Sequence, residues 1–531
     1  MGRGRGWGRL ERTPVAFACT IVVGASVLNA QSSQSSQNAP SPRSAAGSGG
    51  AASTPRFVEA PCTAMWGSAK GVPADAVKCG TVTVPQNRRK PNDARLVAVV
   101  LPVVVYALPG ATGTPVVFLP GGPGESAIDA VQRVLLNTST GQMLLRERPI
   151  IAFDHRGFSP TYGRATPDLG TILFEPRSRR ELAVAPLRDS LARVARDLRA
   201  HGIDPRNFVT REAVDDIADV AKALHYDKII LFGASYGSHE SLQFLERHRE
   251  MAAAAVLDGI APPNAPQVLD STYMARIGRS IVDHIVDECQ ADAICAAQYG
   301  DLPQAVANLS ATTAVPIRRT AHYPVVGEWR TIEVSGASVL SVLGVAATSE
   351  DVRASIPRII VEFAAHDTLI DDLSPRVLLA AAIDPSLQTT AREVSPLVQY
   401  VALCGDRPKG EPKGGDRRLC DALDVPFEGP EAIAPVTSDV PVLLMSSGYD
   451  AQTPAELADE AAKTLSRAQR VHFAKVGHVA FTRPLVTACA ALVVESFLQR
   501  PTEAPPTGCI DNVSPAFVPR GDGVPVAKPN R

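Results

Sequence analysis

Residues 228–248 run from an apolar stretch, "KIILF", through Gly233-Ala234-Ser235-Tyr236-Gly237 into the helical pattern "SHESLQFLERH". A strand that turns sharply into a helix brings two backbones so close that side chains flanking the turn would collide. Glycines at 233 and 237 remove that conflict. The residue at the apex is forced into a strained backbone region. Its side chain stands clear at the carboxyl end of the strand, beside a helix N-terminus that favours negative charge. This turn therefore demands a strand inside a sheet and a helix packed against it.

The rest of the chain supplies such a sheet. Residues 79–107 read as a β-hairpin, with β-branched runs flanking a Pro/Asn/Asp turn. "PVVFL" (115–119) and "PIIAF" (149–153) are short buried strands ending at "PGGPG" and "DHRG". Residues 210–224 form a helix, with Thr210 as its cap and Ala213, Ile217, Val220 and Leu224 on one face. A strand near 254–259 follows. The alternation resumes with strands at 440–446 and 470–476 and helices near 454–466 and 484–498. Alternating strands and helices imply a mostly parallel sheet with helices on both faces and ligands at the carboxyl ends of the strands.

Between about 265 and 435 that alternation is lost. The reading is a sheet domain in two parts, 57–264 and 436–512, interrupted by a mainly helical cap at 265–435 and followed by a tail at 513–531. The N-terminus reads as an export signal. Arg3, Arg5, Arg9 and Arg12 precede the apolar run 14–28, which is shorter than a membrane span, and "LNA" at 28–30 offers a cleavage site. Residues 31–56 read as a low-complexity linker. The expected location is secreted or periplasmic, with no stable membrane span. Export favours disulfides, and beyond Cys19 the eight cysteines fall into sequence-local couples: 62–79, 289–295, 404–420 and 489–509.

A serine needs a base, and a chain built this way presents its partners in the order serine, acid, histidine. Asp450 follows the strand "VPVLLMS", and His478 follows the strand "RVHFAKV". Asp450 would orient the imidazole, and His478 would take the Ser235 proton and return it to the leaving group. Asp258 is the runner-up acid. Among other histidines, His472 lies within a strand, His239 lies on the helix pointing away from the sheet top, and His155 reads as a turn-stabilising group. Acyl transfer also needs oxyanion donors. The expected pair is the backbone N–H of Tyr236 and that of Gly122 in "PGGPG".

The formal net charge is −2 over 531 residues, with no basic stripe, which argues against nucleic acid or an anionic membrane as partner. No metal site and no cofactor are expected. The cysteines lack the C-x-x-C zinc spacing, and "PGGPGES" lacks the Lys-Ser/Thr of a phosphate loop.

Together, "PGGPGES", "DHRG", "GASYGS", "GYDAQTP" and "VGHVAF" resemble the prolyl and tripeptidyl aminopeptidase group of α/β-hydrolases, with secreted bacterial members most similar. "CGTVTVP", "LDGIAPP", "ALCGD" and the final cysteine couple add to the likeness, which covers roughly 79–263 and 400–509 and is weak in the cap. The resemblance implies an α/β-hydrolase fold and release of an N-terminal residue or short peptide through an acyl-enzyme. The partner would be a peptide with a free N-terminus. The chain departs from the group in "RGFSPT" (156–161), in "DAQTP" without Asp-Pro, and at Glu125. Glu125 is either an anchor for a substrate amine or a solvated turn residue. Cap carboxylates Asp287, Glu288, Glu362, Asp367, Asp371 and Asp372 are also available for an amine, and none is singled out. Two other readings share the fold: an esterase or lipase acting on small esters, and an inactive binding scaffold.

Overall fold

A computed structural model describes residues 55–62, 71–157, 177–265, 271–311, 317–323, 328–334, 336–364, 395–406 and 415–510, with 513 and 517. The expected signal segment 1–30, nearly all of the 31–56 linker, most of the tail and the cap carboxylates Asp367, Asp371 and Asp372 lie outside them.

Among the described residues a nine-stranded sheet forms, in the order β1-β2-β3-β5-β4-β6-β7-β10-β11. Its strands are β1 (Phe57–Ala60), β2 (Val77–Val84), β3 (Val99–Tyr106), β4 (Val116–Leu119), β5 (Ile150–Phe153), β6 (Ile229–Ala234), β7 (Ala252–Asp258), β10 (Val442–Tyr449) and β11 (Ala468–Gly477). The first strands pair antiparallel, and β2 and β3 form the expected hairpin, with Val77 opposite Tyr106. From β5 to β11 every pairing is parallel.

The central strands are continuous apolar runs because both faces are covered. Val116, Phe118, Ile230, Phe232 and Val256 point to one face. There they meet helices α2 (Ser139–Glu147) and α14 (Thr487–Gln499). Val117, Leu119, Ile229, Leu231 and Leu257 point to the other, against α4 (Thr210–Ala223) and α5 (Tyr236–Arg247). Two other helices of the sheet region are α1 (Ala127–Arg133) and α3 (Arg177–Ala200), and α13 (Ala455–Ala462) bridges β10 and β11.

Between β7 and β10 the chain forms α6 (Ser271–Ala291), α7 (Ala293–Tyr299), α8 (Leu302–Ala311), α9 (Gly336–Ala346), α10 (Glu350–Ala364), α11 (Pro396–Gly405) and α12 (Gly415–Leu423). It also carries a two-stranded antiparallel hairpin, β8 (Ile317–Tyr323) and β9 (Glu328–Val334), which the helical reading did not anticipate. Much of this segment packs around its own apolar cluster, including Ile281, Ile285, Leu340, Ile359 and Phe363. Tyr449 and Ala451, which flank Asp450, join that cluster.

The cysteines pair as 62–79, 289–295, 404–420 and 489–509. Thr210 is not the cap of its helix. Val209 holds that position, and the Thr210 hydroxyl donates to Asp406 Oδ2 at 2.6 Å.

Candidate active site

Ser235 sits between β6 and α5 with φ 54° and ψ −120°, a strained geometry for a residue with a side chain. The flanking glycines explain how the turn closes. A Cβ at Gly237 would lie 2.0 Å from the Leu119 carbonyl oxygen, and one at Gly233 would lie 2.4 Å from that of Gly237. Glycine is therefore required at both positions. The Ser235 N–H donates to the Asp258 carbonyl at 2.9 Å, which ties the turn to the end of β7.

Asp450 and His478 meet at the same sheet edge. His478 Nδ1 lies 2.7 Å from Asp450 Oδ2, and both residues are buried. Thr453 Oγ1 donates to Asp450 Oδ2 at 2.7 Å and lies 2.9 Å from His478 Nδ1. The other carboxylate oxygen accepts the Gln452 and Thr453 N–H groups at 2.9 and 2.8 Å. Burial alone would push the Asp450 carboxyl up and make it a weaker acid. The imidazole beside it and these hydrogen bonds outweigh burial and hold the carboxyl below its usual range. Asp450 thus remains a charged acceptor that fixes the ring with Nδ1 protonated and Nε2 basic.

The histidine loop is held from three directions. The His478 N–H donates to Thr348 Oγ1 at 2.8 Å. Arg483 Nε donates to the His478 carbonyl, also at 2.8 Å. The Asp258 carboxylate accepts the Ala480 and Phe481 N–H groups at 3.0 and 2.8 Å. Asp258, the runner-up acid, therefore supports the loop and makes no hydrogen bond to the imidazole. Burial pushes its carboxyl up to about 6, with the two N–H groups pulling the other way.

Next to it Gly259 lies against the ring, where a Cβ would stand 2.9 Å from His478 Cε1. The Asp258–Gly259 segment thus touches both the Ser235 backbone and the imidazole. Among the described residues the buried His478 Nε2 has no hydrogen-bond partner, so the bond to the Ser235 hydroxyl is not made in this structure.

Ser235 opens into a cavity of about 40 Å³ that it shares with Phe118, Gly121, Glu125, Val134 and Val479. Among the described residues no hydrogen-bond partner is seen for the expected oxyanion donors, the N–H groups of Gly122 and Tyr236. The Gly121 N–H, in contrast, donates to Glu125 Oε2 at 3.2 Å. Gly122 has φ +111°, open to glycine and strained for other residues. The loop is strapped to β5 by Asp154 of "DHRG", whose Oδ1 accepts from the Ser126 hydroxyl at 2.8 Å and the Ile128 N–H at 3.1 Å.

The three other histidines weighed from the sequence are engaged elsewhere. His472 Nδ1 lies 3.0 Å from Ser446 Oγ. His155 Nε2 lies 3.3 Å from Glu240. His239 is stacked on Tyr236 and lies 3.4 Å from Asp406, so it faces the inserted segment. Arg156 does not line the triad. It is fully buried and donates to Asp216 and to the carbonyls of Gln86 and Asn207. Residues 158–161 of "RGFSPT" lie outside the described residues. Glu288 is tied to Tyr449 and Lys475, Asp287 is exposed, and the Glu362 side chain is not described.

Sequence reasoning missed Thr348, Asp154 and the buried group around Asp406, where Tyr236 donates its hydroxyl to Oδ2 at 3.1 Å. Burial and the nearby Asp406 and Glu240 charges hold the Tyr236 phenol well above its usual range. "ALCGD" and "DHRG" carried the signal for two of these. Nothing in the sequence marked Thr348.

A buried acid–histidine pair beside a strained serine on a parallel sheet defines a serine hydrolase. The fold is that of the α/β-hydrolases, and the chain resembles their tripeptidyl-aminopeptidase-like group. The model described as alpha/beta hydrolase fold matches residues 114–278, and that described as TAP-like protein matches residues 412–509. The chain is 26% identical over 234 residues to serine protease Hip1 of Mycobacterium tuberculosis (strain ATCC 25618 / H37Rv). It is equally similar to the same protein of Mycobacterium bovis (strain ATCC BAA-935 / AF2122/97). The match covers 42% of this chain and 43% of the relative, so it spans less than half the length of those curated proteins. A solved serine hydrolase from the polyaromatic hydrocarbon-degrading bacterium Cycloclasticus zankles is 13% identical, with a TM-score of 0.35 over 79% of this chain and 98% of that one.

Proposed function

We propose that this serine hydrolase is an extracytoplasmic aminopeptidase that removes N-terminal residues or short peptides through an acyl-enzyme on Ser235. Ser235 Oγ attacks the carbonyl carbon next to the scissile bond. Its proton passes to His478 Nε2, which hands it to the departing amine, and water then releases the acyl group by the reverse proton path. Asp450 holds the imidazole and stabilises its charged form. The N–H groups of Gly122 and Tyr236 receive the oxyanion.

The observation that carries this reading is the buried His478–Asp450 pair, whose Nε2 is unpartnered beside the segment that also fixes Ser235. The TAP-like match supports a peptidase. The four disulfides suit an oxidising compartment. Among the described residues no helix is long and apolar enough to cross a membrane.

A fluorophosphonate probe should label the protein at Ser235. Rates on unblocked peptide amides and on short acyl esters then separate the readings. Turnover confined to esters would establish an esterase in its place, and an unlabelled protein would point to an inactive scaffold.

A further inference from the structure

Helix α11 of the inserted segment touches both elements that carry the proposed oxyanion donors. Its C-terminal end reaches Tyr236. The Asp406 carboxylate accepts from the Tyr236 hydroxyl at 3.1 Å and from the Thr210 hydroxyl at 2.6 Å, and those two hydroxyls touch each other. The Tyr236 ring is stacked on His239, with centroids 5.2 Å apart. The N-terminal end of α11 reaches the glycine loop that holds Gly122. There the Ser395 N–H donates to the Gly124 carbonyl at 2.8 Å. A Cβ at Gly124 would lie 2.7 Å from the Ser395 carbonyl oxygen and 3.2 Å from the Gln399 nitrogen. This end, unlike the other, meets the site main chain to main chain.

α11 is also held by contacts of its own. Leu397, Val398, Val401 and Cys404 are buried in an apolar cluster with Leu191, Phe208 and Val209, separate from the cluster that gathers α6 to α10. The Cys404–Cys420 disulfide ties it to α12, and the Gly405 carbonyl accepts from the Glu428 N–H at 2.8 Å. Ser395 and Asp406 cap its two ends. A rise of about 1.5 Å per residue puts these caps about 16 Å apart on one continuous helix.

An oxyanion donor works only when it is placed to within about 0.5 Å of its productive position. The pairing of β4 with β6 sets the distance between the two strand ends from which the donor elements leave. Beyond those ends α11 spans the two elements, with one end on each.

We propose that α11 is a strut that sets the separation of the two oxyanion donors, with Asp406 the positioning residue for the Tyr236 N–H and Ser395 the one for the Gly122 loop. The inserted segment thereby completes the oxyanion hole. This deepens the acyl-enzyme reading and rests on it, and it holds for amide and ester substrates alike.

The test uses the full chain and p-nitrophenyl acetate, which needs an oxyanion hole and no particular leaving amine. Wild type is compared with Tyr236→Phe, Asp406→Ala, Asp406→Asn, Ser395→Pro and the double variant Tyr236→Phe with Ser395→Pro. Ser395→Pro removes the N–H that Gly124 accepts, at a φ of −88°. Tyr236→Phe and Asp406→Ala should each lower kcat about 10-fold with KM little changed, and slow fluorophosphonate labelling by the same factor. Asp406→Asn keeps an acceptor for both hydroxyls and should recover most of the loss. A role confined to stability would shift the unfolding midpoint and leave the kcat of the folded enzyme unmoved.

Ser395→Pro should cost about as much as Tyr236→Phe. The double variant should lose about 10-fold in all, because a strut freed at one end no longer sets a span. Ends that act independently would multiply to about 100-fold, which would overturn the strut. An unchanged kcat in Tyr236→Phe would overturn it as well, even where Asp406→Ala fails to fold. In both cases a wild type labelled by the fluorophosphonate leaves the acyl-enzyme reading standing. An unlabelled wild type would remove that reading and the strut together.

Discussion

In the sheet, Ser235 is fixed by backbone meeting backbone. Gly233, Gly237 and the Leu119 carbonyl leave no space for a side chain, and the strain at φ 54° is held by β6 and α5 on either side. In the segment between β7 and β10, support for the site comes through side chains. Thr348, between α9 and α10, takes the His478 N–H, and Glu288 on α6 reaches Tyr449 and Lys475. Asp406, capping α11, takes the Tyr236 hydroxyl. Backbone contact gives an all-or-none constraint. Side-chain contact gives one that single substitutions can relax by degrees.

The largest effect belongs to the sheet. Ser235→Ala should abolish fluorophosphonate labelling and lower turnover by about 10⁴-fold or more. Ser235→Gly should be equally inactive yet about 1 kcal/mol more stable to denaturant, because glycine adopts the positive φ freely. Failure of the glycine variant to gain stability would remove strain from the description of the turn.

Glycines sharpen the contrast further. Gly237→Ala should cost more than about 3 kcal/mol or prevent folding, since its Cβ would meet a carbonyl oxygen at 2.0 Å. Gly300→Ala, after α7, has open space and a φ of +67°, and should cost only about 1 kcal/mol. Equal costs in urea titrations would break the distinction.

Crosslinks test how far the inserted segment depends on staples. The Cys404–Cys420 pair spans 16 residues and the Cys289–Cys295 pair spans 6. Loop-closure entropy gives about 3 kcal/mol for the first and about 2 kcal/mol for the second. Removing the first by Cys404→Ser with Cys420→Ser should also slow turnover, because Asp406 is two residues away. Unchanged turnover in the destabilised variant would uncouple α11 from Tyr236.

Thr348→Val removes the acceptor of the His478 N–H and should cost about 1–2 kcal/mol. Its mark should be a fall in kcat of about 10-fold with KM little changed. An unaltered kcat would mean that Arg483 and Asp258 suffice to hold the loop.

The smallest effect is a pH slope. Burial lifts Asp258 to about 6, so the folded protein holds this proton more tightly than the unfolded chain. The resulting stabilisation is full below about pH 4 and is lost as pH rises through 6, by at most about 1.4 kcal/mol per pH unit. Asp215 behaves oppositely. The groups paired with it, His248 and Arg247, overcome the effect of burial and lower it to about 2, so its contribution is lost as pH falls toward that value. Thermal unfolding of Asp258→Asn against wild type between pH 4 and 7 should show the first slope flattened.

The sheet strands and the Ser235, Asp450 and His478 positions were legible because each lies where a short apolar run meets a distinctive turn. Their signals are local in sequence. Thr348 and Asp406 were not legible in this way, since each acts on a residue more than a hundred positions away and neither forms a motif with it. The hairpin β8–β9 was missed for another reason: "IRRTAHY" and "EWRTIEV" are polar strands without the apolar alternation that marks a half-buried sheet. Thr210 misled because its hydroxyl suits a helix cap, and a buried carboxylate outcompeted that local use.

Asp258 gives the two halves of the site a common datum. Its carbonyl fixes the serine turn and its carboxylate fixes the loop after the histidine. When β7 shifts, both partners shift with it, and their spacing is conserved as a difference. A substitution in the packing beneath that strand would therefore move the serine turn and the histidine loop together.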